Sequence, residues 1–519
     1  MEIELKLLLA PEDVPLLQAH PLLAQNGGQA PQLPQILAMH DIYVDTPDLQ
    51  LCRHQAGLRV RQVDGRWVQT LKAGGQVSGG LHSRHEWEGE LAGPTPDLDA
   101  LDAAIGRKQP VRALLRQAEI RESLQEVFST RMQRTVWQLH TPQGDHIECV
   151  LDQGVIESGE RKVSVSEVEL ELKEGQASSL FDVALLLLRE VPLQLGHMSK
   201  AERGYRLALP EQPLKASKAQ PVVLDAAMTV EEVFLAIVAN CLAQVGANQD
   251  GVIQGEDVES LHQMRVGLRR LRSALGMFKS LLALPVELQG ELDWLSGALG
   301  EARDWDVLAG HTLAQLDGDA DAGFGPGALA QLTQAARGQA HEKHALAAQA
   351  VASSRYTALM LGLQRWLHGR GWRSSRTPRQ LQRLDAGVQG FAQRTLRADQ
   401  RRLMKRGKRL LHATPQQRHR VRIAAKKTRY ATEFFASLLN NGKVLPYVGR
   451  LSLLQDELGA MNDVRVADRL LQELPDGQAD LQVHAAFIRG YLAARAQGGD
   501  NERRMDKAWR RFTSARLPL

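Results

Sequence analysis

The spacing of apolar residues changes once along the chain, and that change limits what the chain can fold into. In the first part, apolar and polar residues alternate over short runs: Glu2–Leu9, Met39–Asp45, Gly57–Val63, Trp67–Ala73, His82–Leu91, Phe128–His140, His146–Glu157 and Lys162–Lys173. A period of two puts successive side chains on opposite faces, so these runs read as strands. Gly-marked turns are expected at Asp64-Gly65, Gly74-Gly75, Gln143-Gly144 and Ser158-Gly159. Helices are expected at Leu98–Ile105 and Phe181–Arg189. Residues 210–221, PEQPLKASKAQP, carry three prolines and no periodic pattern, and read as a linker. Beyond them the period becomes 3.6, over Met228–Val245, Val258–Leu284, Leu288–Leu316, Ala328–Gly369, Pro378–Leu411, Pro415–Leu439 and Val444–Leu474, the last stopping before Pro475. The expected fold is α+β: an antiparallel sheet, closed as a barrel with helices outside (residues 1–209), followed by an all-α domain (residues 222–519).

At 519 residues and 43% hydrophobic content the chain is long enough for two packed domains. No run of 18 apolar residues appears, so no membrane span is expected, and the acidic start does not read as a signal peptide. Three distant cysteines, Cys52, Cys149 and Cys241, lack metal-ligand spacing, and a reduced, cytoplasmic protein is expected. The net charge of +4 hides an asymmetry. Residues 1–209 hold 21 Lys and Arg against 29 Asp and Glu, whereas residues 222–519 hold 41 against 30. The basic half should attract polyanions; the acidic half should not, unless its carboxylates hold metal ions.

In the strands, charges share faces. Glu2, Glu4 and Lys6 do so, as do Arg59 with Arg61, Thr70 with Lys72, Arg84 with Glu86 and Glu88, Glu148 with Asp152, and Glu167 with Glu169 and Glu171. A solvent face would mix in Ser, Thr, Gln and Asn. Faces made almost wholly of Glu, Arg and Lys, in strand after strand, fit the inside of a closed barrel better. Basic side chains suit phosphate oxygens, and paired carboxylates suit a hard divalent cation. Together they describe a site for a metal-bound chain of phosphates. No GxxxxGK[ST] pattern is present, so this is not a P-loop site.

These residues carry a resemblance. EIELK at the start resembles the ExExK signature of the CYTH family, the triphosphate tunnel metalloenzymes. YVDTPDLQL (43–51), GLRVR (57–61), TLK (70–72), RHEWE (84–88), EVELEL (167–172) and SKAERGYRL (199–207) follow in the family's order. The resemblance implies an eight-stranded tunnel that binds triphosphate with Mg²⁺ or Mn²⁺, and metal-assisted hydrolysis is the expected reaction. It implies metal ligation by Glu167 and Glu169 with Glu2 or Glu4, with Glu171 and Asp152 as further candidates. Phosphates would be held by Lys6, Arg59, Arg61, Lys72, Arg84, Arg131, Arg134 and Lys200. The expected catalytic set is Glu2, Glu4, Lys6, Arg59, Arg61, Lys72 and Lys200, with Glu148 a further inward acid and Glu86 and Glu88 orienting water or basic groups.

The helical half repeats itself. HQMRVGLRRLRSALGMF (262–278) matches HRVRIAAKKTRYATEFF (419–435), and LGEARDWDVL (299–308) matches LGAMNDVRVA (458–467). On a helix His262, Arg265, Arg269 and Arg272 share a face, and His419, Arg422, Lys426 and Arg429 repeat it. Arg270 and Lys427 also correspond. Paired histidines with Asp304, Asp306 and Asp463 could hold a metal, but so many cations would repel it, and a polyanion fits better. Scarce aromatics make nucleic acid a poor fit. This half resembles the CHAD domain, which implies helical bundles and inorganic polyphosphate as ligand; Asn462 stands where the first copy has Arg303. Inorganic triphosphatase activity is the expected function. Thiamine triphosphatase, a class IV-like adenylate cyclase, and a polyphosphate-binding adaptor with an inactive tunnel are the alternatives.

Overall fold

The computed structural model describes residues 2–24, 33–78, 80–210, 214–255, 257–316, 327–474, 479–496 and 498–519. Pro475 and residues 211–213 of the expected linker lie outside them. The chain divides into two compact units, Met1–Leu214 with Ala352–Arg370, and Lys215–Val351 with Gly371–Leu519.

The first unit is a barrel. Its strands are β1 (Glu2–Leu9), β2 (Gln35–Asp45), β3 (Ala56–Val63), β4 (Arg66–Ser78), β5 (Leu81–Leu91), β6 (Gln125–His140), β7 (His146–Ser158) and β8 (Arg161–Glu174), with a short β9 (Leu193–Leu195). They hydrogen-bond in the order β5-β4-β3-β2-β6-β7-β8-β1, and β1 pairs back to β5, closing an eight-stranded antiparallel barrel. All eight expected strands are present. β9, too short to show a period, pairs with the end of β1.

The hairpin between β3 and β4 turns at Asp64 and Gly65, whose φ angles are 49° and 76°, the pair of positive values that a type I′ turn requires. Gly74-Gly75 is not the expected turn. β4 runs on through it, and the register with β5 slips between Ala73 and Gln76. The positive φ of both glycines (64° and 112°) makes it a bulge, which bends the strand as closure demands.

The barrel's outer face is apolar and covered. Leu58 and Leu71 pack beneath helices Leu98–Ala104, Pro110–Leu115 and Ala118–Ser123, and helix Ser178–Leu187 packs on β1 and β8. With this face occupied, the alternate residues must point inward. The unit also takes a helix from far along the chain. The expected helical stretch 328–369 breaks at Ser353, whose Oγ caps a new helix by accepting from Tyr356 N at 3.3 Å. That helix, Ser354–Gly369, packs on Ser178–Leu187 and β9. Arg365 Nε lies 2.6 Å from Asp182 Oδ1.

The second unit is all-helical. Its principal helices are Val230–Gly246, Val258–Phe278, Val286–Val307, Val388–Gly407, Pro415–Phe434, Asn441–Gln472, Ala479–Ala496 and Gly499–Thr513. The last two and Lys200–Ala208 of the first unit were not expected from the sequence. One core gathers Trp305, Leu332, Leu470 and Ile488; another gathers Leu403, Val421, Leu451 and Phe512. One helical stretch, Val230–Gln254, is long and apolar enough by composition to cross a membrane, but it is mostly buried within the protein, as core helices are.

Candidate functional site

The strand register sets the chemistry of the barrel interior. Lys6 lies opposite Glu169, Arg134 opposite Asp152, Arg61 opposite Asp41, Lys72 opposite Glu86 and Glu2 opposite Arg84. Opposite charges facing across neighbouring strands attract, and here they are enclosed around a cavity of about 380 Å³. Glu2, Glu4, Lys6, Arg59, Arg61, Lys72, Arg84, Arg134, Asp152, Glu169, Glu171 and Lys200 all line it. The sequence expectation of an inward charged face therefore holds for these residues.

Three carboxylates, Asp152, Glu167 and Glu169, each offer an oxygen within 4.8 Å of the others. Among the described residues they are the one such group of His, Cys, Asp and Glu side chains. All are buried, and their oxygen donors fit a hard divalent cation. Glu2, Glu4 and Glu171 line the cavity outside this tight group. Glu2 Oε2 is 2.5 Å from Lys72 Nζ, Glu4 Oε1 is 3.0 Å from Lys6 Nζ, and Glu171 Oε1 is 2.8 Å from Lys173 Nζ.

The acids are interlocked with cations. Lys200 Nζ reaches Glu167 at 2.5 Å, Asp152 at 2.7 Å and Glu169 at 3.0 Å. Arg134 forks onto Asp152 at 2.8 and 2.6 Å and reaches Glu169 at 3.1 Å. Lys6 bonds Glu169, and Arg203 bonds Glu167. Burial alone would raise the Glu169 carboxyl, but Lys200, Lys6 and Arg134 hold it well below its ordinary range. Burial would likewise lower the Lys6 ammonium, yet Glu169 and Glu4 hold it above its usual value. Each half of the lattice keeps the other ionised. Glu171 is the exception: burial raises its carboxyl, Lys173 opposes, and Glu2 and Glu148 add to the rise.

Lys200 owes its place to a helix end. It opens helix Lys200–Ala208 behind a capping box of Ser199 and Glu202. Arg84 Nη2 donates to the Glu202 Oε1 at 3.0 Å. Gly204 lets the helix lie against β6, since a Cβ there would overlap the Phe128 ring.

Some expected residues fall elsewhere. Arg131 is exposed and does not line the cavity; its nearest acid is Glu157 at 3.9 Å. Met132 and Arg134 point inward from β6, so period two sends Arg131 outward. Glu86 holds Lys72 at 3.4 Å and Arg59 at 3.9 Å, Glu88 accepts from Thr70 Oγ1 at 3.0 Å, and Glu148 accepts from Gln138 at 2.8 Å. Two residues escaped the sequence reading. Asp41 accepts both arms of Arg61 at 2.7 and 2.9 Å and lies 3.5 Å from Arg59; burial would raise its carboxyl, but Arg61 and Arg59 bring it down to about 2. Its alternation with Tyr43 in HDIYVD was the available signal. Arg203, one turn after Lys200, stood within the quoted stretch SKAERGYRL.

The second unit brings the two repeats together. Helices Val258–Phe278 and Pro415–Phe434 pack on each other. Burial, then Arg422, Arg269 and Arg429, push Lys426 down to about 7 against the pull of Asp463. Burial and Arg269 bring Arg265 down to about 10 despite Asp304. Burial, Arg303 and Arg269 bring His262 down to about 4. The Nε atoms of Arg265, Arg269, Arg272, Arg422 and Arg429 are buried without a hydrogen-bond partner among the described residues. Arg272 does bond the Leu292 carbonyl at 3.0 Å, and Arg429 lies 3.3 Å from Glu433. Beside His419, Arg465 supplies the charge that Arg303 gives His262, and burial followed by Arg465 lowers His419. Asn462 in the second copy is thus answered one turn later.

Arg270 and Lys427 do not join this group. Arg270 is buried on the other side of its helix, donating to Gln244 at 2.9 Å and Asn240 at 2.8 Å, and Lys427 is exposed. Each is one residue past a face position, about 100° around the helix. Asp306 is taken by His344 at 2.9 Å and Asp304 by Arg469 at 3.1 Å, so neither pairs with the leading histidines.

The CYTH domain model matches residues 1–205, and the CHAD domain model matches residues 236–472. The chain is 35% identical over 210 residues to an inorganic triphosphatase of Haemophilus influenzae, covering 40% of this chain and 54% of that one. It is 28% identical over 294 residues to an uncharacterized protein of Mycobacterium tuberculosis, covering 53% of each. It thus spans about half the length of the curated relatives it matches. The crystal structure of the CHAD domain from the plant Ricinus communis is 37% identical, with a TM-score of 0.52, covering 59% of this chain and 99% of that one. The chain therefore belongs to both families, as a CYTH domain joined to a CHAD domain.

Proposed function

We propose that the barrel hydrolyses inorganic triphosphate to diphosphate and phosphate, and that the helical domain binds inorganic polyphosphate. The first reading rests on one observation: a cavity lined by inward-facing cations and by Asp152 and Glu169, two of three clustered carboxylates, with the third, Glu167, buried beside them. The similarity to an inorganic triphosphatase supports it. Asp152, Glu167 and Glu169 would hold a divalent cation, Mg²⁺ or Mn²⁺, with Glu2, Glu4 or Glu171 completing its ligands; when bound it supplies charge neutralisation and a Lewis acid. Lys6, Lys72, Lys200, Arg59, Arg61, Arg84 and Arg134 bind the phosphate oxygens and stabilise the charge that builds on the leaving diphosphate. To do so they exchange carboxylate partners for phosphate. Water's oxygen bonds the terminal phosphorus, the bridging P–O bond breaks, and a proton is released.

The polyphosphate reading rests on the buried, unpartnered guanidinium nitrogens of the two repeats. Met39, Tyr43, Met132 and Tyr205 give the tunnel a stretch of apolar wall, and this favours an organic triphosphate as the second reading. One assay separates the readings. Purified protein with Mg²⁺ or Mn²⁺ is offered inorganic triphosphate, thiamine triphosphate, ATP and long polyphosphate side by side. Fastest phosphate release from inorganic triphosphate is expected. Faster turnover of thiamine triphosphate, or cyclisation of ATP, would replace the first reading with the second.

A further inference from the structure

The duplicated LG segments have no part in the functions proposed so far. Gly300 lies in helix Val286–Val307 and Gly459 in helix Asn441–Gln472, and each follows a leucine in its own copy of the repeat. A Cβ on Gly300 would stand 2.9 Å from Arg265 Nη1. A Cβ on Gly459 would stand 3.3 Å from Arg422 Nη2. At each position the nearest atoms such a Cβ would meet, among the described residues, belong to these guanidiniums. Of the other glycines in the same helices, Gly290, Gly297 and Gly449 meet nothing within 4 Å among the described residues, and Gly442 meets only Asn440 Oδ1 at 3.5 Å. Glycine in a helix interior costs stability relative to alanine, and in both copies of the LG segment it stands where an arginine of the neighbouring helix crosses.

We infer that Gly300 and Gly459 are positioning residues for polyphosphate binding: each bares a strip of helix on which the guanidinium of Arg265 or Arg422 lies, aimed into the basic cluster. The inference rests on the polyphosphate reading above. The bare strip lets the guanidinium approach the helix closely, where Arg265 Nη1 also reaches the Ser296 carbonyl at 3.4 Å. Its Nε has no hydrogen-bond partner among the described residues. A methyl group there lifts the fork off the strip. The side chain's flexible far end gives way, so the helices need not move. The tighter contact, at Gly300, is the one that must shift more.

The test uses the full chain and inorganic polyphosphate, titrated without divalent cations so that tunnel turnover does not intervene. Gly300→Ala should weaken binding on the order of tenfold, the size of one charge-assisted hydrogen bond. It should also lower the salt dependence of affinity by about one released counterion, while the melting temperature holds or rises because alanine favours the helix. Gly459→Ala should show the same pattern, smaller. In an Arg265→Ala background Gly300→Ala should cost nothing further, because the group it displaces is gone. Unchanged affinity in Gly300→Ala, equal losses in both backgrounds, or a lowered melting temperature would each overturn the inference. If Arg265→Ala/Arg422→Ala itself left affinity unchanged, the polyphosphate reading would fail, and this inference with it.

Discussion

The tunnel and the helical domain both bury cations, and they treat them in opposite ways. In the tunnel the buried ammonium and guanidinium groups described above meet carboxylates, and Lys6 is held above its ordinary pKa by Glu169 and Glu4 against the pull of burial. In the helical domain Arg272 and Arg429 have acids beside them, Asp293 and Glu433, but at Lys426 cations outnumber acids, and burial with Arg422, Arg269 and Arg429 brings it down to about 7. The difference lies in the scaffold. The barrel brings different strands face to face, so that Lys6 meets Glu169 and Arg134 meets Asp152, while acids also meet acids at Glu4–Glu171 and Asp152–Glu167; a duplicated helix sets two copies of one basic face together. It also fits the two proposed ligands. An anionic triphosphate entering the tunnel leaves carboxylates without partners, which suits a ligand that arrives with a divalent cation. A bare polyanion is enough for the helical cluster.

The sharpest way to break this contrast is at Glu169. Glu169→Gln should cut triphosphate hydrolysis by about 10²–10³-fold or more, measured as phosphate release. It should also destabilise the barrel by roughly 3–5 kcal/mol, because it leaves Lys6, Lys200 and Arg134 facing a neutral amide in a buried site; chemical denaturation reads that loss. Next comes the helical cluster. Arg265→Ala/Arg422→Ala should weaken polyphosphate binding by about 10–100-fold and leave triphosphate turnover unchanged. A comparable loss of turnover would erase the division of labour.

Both regions should gain stability as pH rises, in different windows and for different reasons. Asp41 has its pKa depressed to about 2, so its contribution to stability, on the order of 2 kcal/mol, is full above its ordinary range near 4 and is lost as pH falls toward 2. Lys426 is a base with a depressed pKa, so its charged form costs the fold stability below pH 7, and that cost is relieved as pH rises from about 7 toward 10.5. A polyanion favours the charged form. Polyphosphate affinity should therefore fall above pH 7, by up to roughly tenfold per pH unit, and Lys426→Ala should flatten the profile in binding titrations at pH 6 and 8.5. Smallest of all, Arg131→Ala should change turnover less than about twofold, and Lys427→Ala should change polyphosphate affinity as little, as expected of exposed side chains.

Much of this was legible in the sequence because period two carries both the strand and its face. The run Glu167, Glu169, Glu171 gave away an inward acidic face, and the barrel confirms that Glu169 and Glu171 line the cavity. The same rule, applied to β6, would have separated Arg131 from Arg134, which are an odd number of residues apart. Likewise Arg270 cannot share the face of Arg269. Asp41 was hidden because a lone acid between His40 and Tyr43 makes no run. Arg203 sits on a helix, where strand logic does not reach. The docking of Ser354–Gly369 on the barrel unit could not be read at all, since periodicity shows that a helix has an apolar face but not what covers it.

The most direct test of the account uses Glu2→Ala, because Glu2 lines the tunnel yet pairs only with Lys72 among the ion pairs described here, so its loss spares the buried lattice. Phosphate release from inorganic triphosphate is followed with Mg²⁺ or Mn²⁺, and polyphosphate binding and melting temperature are measured on the same sample. The account predicts that hydrolysis disappears while binding and melting temperature stay at the values of the intact protein. Undiminished metal-dependent hydrolysis in Glu2→Ala would contradict it.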